Sequence, residues 1–130
     1  MYKVLISLAS NHQQEENLSR ARIALAQVLH SPSYTPAIWT EPVGADTSPA
    51  SPRSPIYLNQ LVCATTSLDS DQLTEQLKSI ERTMGRDEEA RRAGIVPIDL
   101  DLLQHDRQRF HLRDWGRHYI QRLLPLIRKK

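Results

Sequence analysis

The sequence predicts an α+β fold: an antiparallel sheet with helices packed on it, in the order β-α-β-β-α-β with one added C-terminal helix. Three observations lead there. Runs rich in branched residues at 2–9, 34–40, 56–66 and 98–104 read as strands, whereas at 15–29 and 69–84 the apolar residues recur at helical spacing. The two middle strands follow one another with no helical stretch between them, which defines a split-βαβ, ferredoxin-like sandwich. A chain of 130 residues suffices for one packed core and is too short for two, so a single domain over 1–130 is expected.

Each element has a local reason. Tyr2 to Ala9 alternates and is rich in branched residues, giving a first strand. After the polar Ser10 to Gln14, the residues Leu18, Ala21, Leu25, Val28 and Leu29 share one side of a helix over 15–29, which Ser31-Pro32 is expected to close. A strand at 34–40 runs into the turn-forming Glu41-Pro42-Val43-Gly44. Residues 45–55 hold three prolines and three serines and nothing that builds a core, so a surface loop is expected there. Ile56 to Thr66 is the third strand. Asp69 or Ser70 caps a helix to about Met84, with Leu73, Leu77, Ile80 and Met84 on its buried stripe and Gly85 as its stop. The charged run 86–93 reads as a loop before the strand at 98–104. A short strand is expected at 109–112. Asp114 is expected to cap a last helix in which Trp115, Tyr119 and Leu123 share a face and which Pro125 ends or kinks.

Composition excludes several classes. With 39% apolar and 25% charged residues the chain is expected to be a globular domain, and no segment approaches the length of a membrane span. The formal charge of +2, from 17 basic and 15 acidic residues, gives no general pull toward nucleic acid or anionic membranes. Aromatic residues at 5% are too few for a base-stacking platform, so a nucleic-acid role through the terminal Arg128-Lys129-Lys130 is the weakest reading. The lone Cys63 sits in an apolar run and is expected to be a buried strand residue; one cysteine cannot form an internal disulfide, which fits a cytoplasmic setting. A monomer is expected.

The sharpest chemical feature is Ile98-Asp99-Leu100-Asp101-Leu102. In a strand, side chains alternate, so Asp99 and Asp101 emerge on one face with Cα atoms roughly 6.5–7 Å apart. Paired carboxylates repel unless a cation intervenes, and hard oxygen ligands in that number suit Mg²⁺, which completes its shell with water and phosphate oxygens. As a bare pattern, an exposed polar strand face is the commoner explanation. Arg86, Arg91 and Arg92 precede the strand, in a loop with Gly85 and Gly94 near its ends. Guanidinium forks bind phosphate oxygens, although Asp87, Glu88 and Glu89 balance the run as a solvated surface would. Tyr57 and Asn59 share a strand face beside the 40–44 turn and offer an aromatic plane and an amide to a flat heterocycle. No Walker loop, zinc cluster or Ser-His-Asp order is present.

Read in order, Leu5-Ile6-Ser7-Leu8-Ala9-Ser10-Asn11, Thr40-Glu41-Pro42-Val43-Gly44, Tyr57-Leu58-Asn59, Ile80-Glu81 through Gly85-Arg86, and Ile98-Asp99-Leu100-Asp101 resemble the 6-hydroxymethyl-7,8-dihydropterin pyrophosphokinases of folate synthesis. The resemblance covers roughly 2–104. It implies transfer of pyrophosphate from ATP to the pterin alcohol, with AMP released. It implies that Asp99 and Asp101 hold two Mg²⁺ ions on ATP, and that Thr40, Val43 and Gly44 bond the pterin edge. Tyr57 and Asn59 would complete the pterin site, with Arg86 and Arg92 at the nucleotide phosphates and Glu81 as a nearby acid. His111 is the histidine best placed for a phosphate contact.

The chain departs from the family pattern at Ala93, where tryptophan is usual, and at Val96 and Glu88, where basic residues are usual. The downstream Arg-Gly-Phe is replaced by the stretch His111 to Tyr119, which is expected to return an aromatic and a base to the site. These losses leave open a non-catalytic pterin- or nucleotide-binding relative.

Overall fold

The computed structural model describes residues 1–40 and 56–128. Strand β1 (Tyr2–Ser10) runs through the middle of the sheet, antiparallel on one side to β4 (Tyr57–Thr66) and on the other to β5 (Asp99–His105). Both β2 (His30–Tyr34) and β3 (Ile38–Thr40) pair with β4 on its outer side, and β6 (Gln108–Arg109) pairs with β5 at the opposite edge. Counting β2 and β3 as one interrupted strand, the neighbours β2/β3-β4-β1-β5 reproduce the expected ferredoxin-like sheet, entirely antiparallel.

The strand period of two sorts the side chains into two layers. On one face Val4, Ile6 and Leu8 of β1 meet Leu18, Ala21 and Leu25 of α1 (Gln14–Leu25) and Leu73 and Leu77 of α2 (Ser70–Thr83). On the other face Leu5, Leu61 and Leu103 meet Ile120, Leu123, Leu124 and Ile127 of α4 (His118–Arg128). A bulge serves this second layer. Leu5 pairs with Gln104 but Ile6 with Leu102, so Leu103 is the extra residue, and Leu103 and Gln104 both reach the α4 side. Alternation then continues undisturbed to Asp101 and Asp99.

Several boundaries differ from the sequence expectation, each for a local reason. The helix over 15–29 stops at Leu25; Val28 and Leu29 keep their apolar contacts from a closing turn, because the chain must reach β2 at His30. Ser31-Pro32 lies inside β2 rather than closing the helix. That strand is at the sheet edge, where a missing N–H is tolerated. The strand over 34–40 is broken after Tyr34: Thr35 turns its hydroxyl to accept from Leu61 N–H at 3.0 Å, and Pro36 cannot donate. The 86–93 run contains the short helix α3 (Glu88–Arg92), because Asp87 accepts from Ala90 N–H at 2.8 Å as an N-cap. Of the strand expected at 109–112 only Arg109 is paired: β6 is Gln108–Arg109, closed on β5 by a two-residue turn in which Asp106 takes φ 52°, and His111, also at φ 52°, turns the chain out of the sheet.

At the C-terminal end, Asp114 opens a 3-10 turn over Asp114–Gly116, and α4 starts at His118. Pro125 neither ends nor limits α4, which continues to Arg128; it sits on the exposed side, where water can satisfy the carbonyl it leaves unpaired. Cys63 is a strand residue but only half-buried, facing the edge of the α4 layer. The α2 expectation holds closely: Asp69 caps it in a reciprocal box with Gln72, and Gly85 leaves it at φ 98°.

Leu123 is 1% exposed and ties α4 to the sheet. Leu123→Ala should lower the unfolding free energy by about 3 kcal/mol, read as a shifted denaturant midpoint with little change in slope.

Candidate active site

The α4 layer covers one end of its sheet face, and the other end is open as a cavity of about 380 Å³. Its floor is set by strand register. Asn59, Ala9 and Asp99 form one cross-strand row, and Ser7 pairs with Asp101 in the next. Ser7 and Ala9 are small, which leaves room above β1 between the larger residues on either side. Tyr57 and Thr40, themselves cross-strand partners, line one side. Arg117, His118 and Tyr119, where α4 begins, line another. The site thus exists because β-alternation lifts Asp99 and Asp101 out of the same face that α4 buries further along.

Asn59 is 3% exposed and its amide donates to Thr40 Oγ1 at 2.6 Å and to Ile38 O at 3.3 Å, so β3 and β4 are locked at the cavity wall. Burial pushes the Tyr57 hydroxyl above its usual range, and the Asp99 charge adds to that.

The acidic side is a small network. Arg86 Nη1 donates to Asp99 Oδ1 at 2.8 Å and to Glu81 Oε2 at 3.0 Å. The same Glu81 oxygen accepts from Leu100 N–H at 2.8 Å. The two-residue β6 pairs with β5 only at Gln104 and His105, so it does not reach Leu100 and the carboxylate satisfies that edge N–H instead. Burial pushes Glu81 up from the ordinary carboxylate value, partly offset by the Leu100 bond and the Arg86 charge. Asp101 is pushed up to about 6, first by burial and then by the Asp99 charge. His111, whose Nε2 lies 3.8 Å from Asp101 Oδ1, works in the opposite direction. Burial likewise raises Tyr119, against a lowering by Arg117.

A metal ion fits this donor set. Among the described residues no group of three or more His, Cys, Asp or Glu converges on one point. A cation at Asp99 and Asp101 would therefore take only part of its shell from the protein, as Mg²⁺ does when phosphates and water supply the rest. A cation there would offset both causes that raise Asp101, its burial and the adjacent Asp99 charge.

The fold therefore brings together Thr40, Tyr57, Asn59, Asp99 and Asp101, with Arg86 held on Asp99 and His111 beside Asp101. Arg92 is exposed on α3 and lines neither this cavity nor a neighbouring one of about 530 Å³. The latter is bounded by Tyr57, Arg86, Asp87, Glu88, Arg91 and the 94–96 segment. Val43, Gly44 and the 45–55 segment lie outside the described residues. Arg117, His118 and Tyr119 fall in the stretch from which an aromatic and a base were expected, but they had no assigned place. Their signal is position, at the start of an amphipathic helix just after Gly116. Ser7 and Ala9 were legible as small residues on a strand face otherwise occupied by Leu5.

Comparison with known proteins agrees with this architecture. The chain matches the family model described as 7,8-dihydro-6-hydroxymethylpterin-pyrophosphokinase (HPPK) over residues 5–128, and it belongs to that family. It is 30% identical over 139 residues to a folate synthesis bifunctional protein of Arabidopsis thaliana, across 96% of this chain and 26% of that protein. To a second, the mitochondrial folate synthesis bifunctional protein of the same plant, it is 31% identical over 140 residues, across 97% of this chain and 23% of the relative. The chain thus spans about a quarter of the length of these curated relatives. Family membership supports a pyrophosphokinase role in folate synthesis. Among the described residues no helix is long and apolar enough to cross a membrane.

The raised Asp101 gives a signed expectation. In the unfolded chain it titrates near its ordinary value of 3.8, in the fold at about 6, so the folded state holds more protons between those values. Stability is therefore lost as pH rises from about 4 to 6. Asp101→Asn should remove that loss. In the absence of ligand the variant should be more stable than the parent at pH 7.5 by on the order of 1–2 kcal/mol. Near pH 3.5 the two should coincide, as measured by denaturant titration at each pH.

Proposed function

We propose that this chain transfers the terminal pyrophosphate of ATP to the hydroxymethyl oxygen of 6-hydroxymethyl-7,8-dihydropterin, releasing AMP. The observation that carries this reading is the meeting of Asp99 and Asp101 with Thr40, Tyr57 and Asn59 around one cavity of about 380 Å³. A phosphate-facing acidic pair and a ring-binding wall thereby face the same space.

In this reading Tyr57 offers its ring to the pterin, while Thr40 and Asn59 meet the polar edge. Two Mg²⁺ ions arriving with ATP would be held by Asp99 and Asp101 and would neutralise charge on the phosphates. Arg86 stands against Asp99 with further N–H donors on its guanidinium fork for phosphate oxygens. His111, beside Asp101, offers a ring nitrogen toward the nucleotide, whereas Arg92, exposed on α3, lines neither cavity. The hydroxymethyl oxygen attacks the β-phosphorus as the bond to the α-phosphate oxygen breaks, and AMP departs. The protein contributes position and field rather than a covalent intermediate.

A second reading, a non-catalytic pterin- or nucleotide-binding relative, has one feature in its favour. The loop carries Ala93 and Val96 where the family pattern has tryptophan and arginine. Loss of one such donor costs about a hundredfold or more in turnover.

A coupled assay for AMP separates the two. With reduced pterin, ATP and Mg²⁺ the protein should release AMP; EDTA should abolish it, and Asp99→Ala should lower kcat/KM by at least about a hundredfold. Calorimetric binding of pterin or a non-hydrolysable ATP analogue without AMP release would favour the second reading, and no binding at all would remove both.

A further inference from the structure

One buried polar side chain touches both cavities' shared wall yet belongs to neither. Asn11, at the end of β1, is 8% exposed. Its Oδ1 accepts from Val96 N–H at 2.7 Å and its Nδ2 donates to Gly94 O at 3.0 Å and to the Tyr57 hydroxyl at 3.5 Å. Its own backbone N–H donates to Val96 O at 3.1 Å, and the neighbouring Ser10 hydroxyl donates to the same oxygen at 3.3 Å. The amide orientation is fixed by chemistry: a backbone N–H demands the oxygen on one side, and a backbone carbonyl demands the N–H₂ on the other. Only a carboxamide of this length supplies both.

At its other end the loop is held by Arg86 on Glu81 and Asp99, and α3 lies between the two anchors. None of the five residues of α3 is buried, and Gly94, where the loop rejoins the anchored part, takes φ 71° with nothing near the place of a Cβ. Within the 86–97 segment, residues 94–96 are pinned to β1, whereas α3 buries no side chain and is joined to them by the Ile95 N–H on Ala90 O at 2.8 Å. Tyr57, which bounds both cavities, meets the same amide.

We propose that Asn11 is a positioning residue that fixes the 94–96 segment and the Tyr57 ring relative to each other, so that the wall between the ring-binding cavity and its neighbour beside α3 has one shape. Its effect on catalysis rests on the pyrophosphokinase reading; its effect on the wall does not.

The test begins without substrate. In Asn11→Ala the backbone bond to Val96 O remains, so the fold should persist, while hydrogen exchange at the Val96 amide should speed up at least tenfold relative to the parent. Amides in the centre of β4 should be unchanged. Asn11→Asp keeps an acceptor for Val96 N–H and loses both donors, so Val96 should stay protected while the Tyr57 ring resonances shift. In the AMP assay both variants should raise KM for the pterin about tenfold or more. In the Asn11→Ala background, Tyr57→Phe should add less to KM than it does alone. Unchanged Val96 exchange in Asn11→Ala, or lowered thermal stability with parental KM and kcat in both variants, would overturn the proposal. If the exchange and ring signals respond but the parent releases no AMP, the positioning role stands and the pyrophosphokinase reading falls. Should Asn11→Ala fail to fold, Asn11→Asp alone decides: parental Tyr57 resonances would reject the role.

Discussion

Everything in this molecule follows from one helix being too short for the face it covers. Eleven residues of α4 span about 16 Å, whereas β1 and β4, with nine and ten residues, run to about 30 Å. However α4 lies, part of that face stays bare. The strands obey their alternation regardless, so the positions that would carry leucine under a helix carry Ser7, Ala9, Asn59, Asp99 and Asp101 instead. The opposite face, covered by α1 and α2, shows what the same strands do when protection is complete: Ile6, Leu8, Ile98 and Leu100 are all buried. Core and cavity are products of one backbone, differing only in what lies above it.

The bare half-face concentrates acid. Glu81, Asp99 and Asp101 face a guanidinium and an imidazole at close range, and burial disfavours the charged form of Glu81 and of Asp101. A fold selected for stability alone would not crowd carboxylates in this way. Arg86 limits the cost by bridging Glu81 and Asp99, and Glu81 gains a structural use by satisfying the Leu100 edge N–H. Asp101 is compensated least: burial and the neighbouring Asp99 charge raise it, and only His111 acts against them.

How much of this was legible beforehand depends on which residues carried a periodic signal. The alternation around Asp99 and Asp101 fixes their common face without any knowledge of tertiary structure, and the apolar stripes of α1 and α2 do the same for their burial. The Asp69 cap was readable because its chemistry is local. The break at Thr35–Pro36 was not, because it depends on a hydroxyl bonding to Leu61, which is distant in sequence. Nor was α3, whose existence turns on one Asp87 cap within a run of charges that also fits a loop. Arg117, His118 and Tyr119 lay in a stretch expected to serve the site but could not be singled out, for a different reason. Their place is set by how α4 docks on Leu5, Leu61 and Leu103, and no local pattern encodes that docking.

The same distinction between backbone and side chain bears on the departures from the family pattern. The contacts that hold 94–96 run to the carbonyl of Gly94 and to the N–H and carbonyl of Val96. None of them reads the Val96 side chain. A loop secured through its peptide groups can therefore exchange arginine for valine and keep its path, because the bonds that define the path are indifferent to what the side chain is. Ala93 lies just outside the pinned segment, next to a glycine whose positive φ is compatible with a turn of the chain there. Sequence drift in this loop is thus permitted by the very contacts that preserve its shape. It follows that side-chain losses at 93 and 96 bear on chemistry far more directly than on architecture, so the persistence of the wall around Tyr57 and the persistence of turnover are separable properties of this chain.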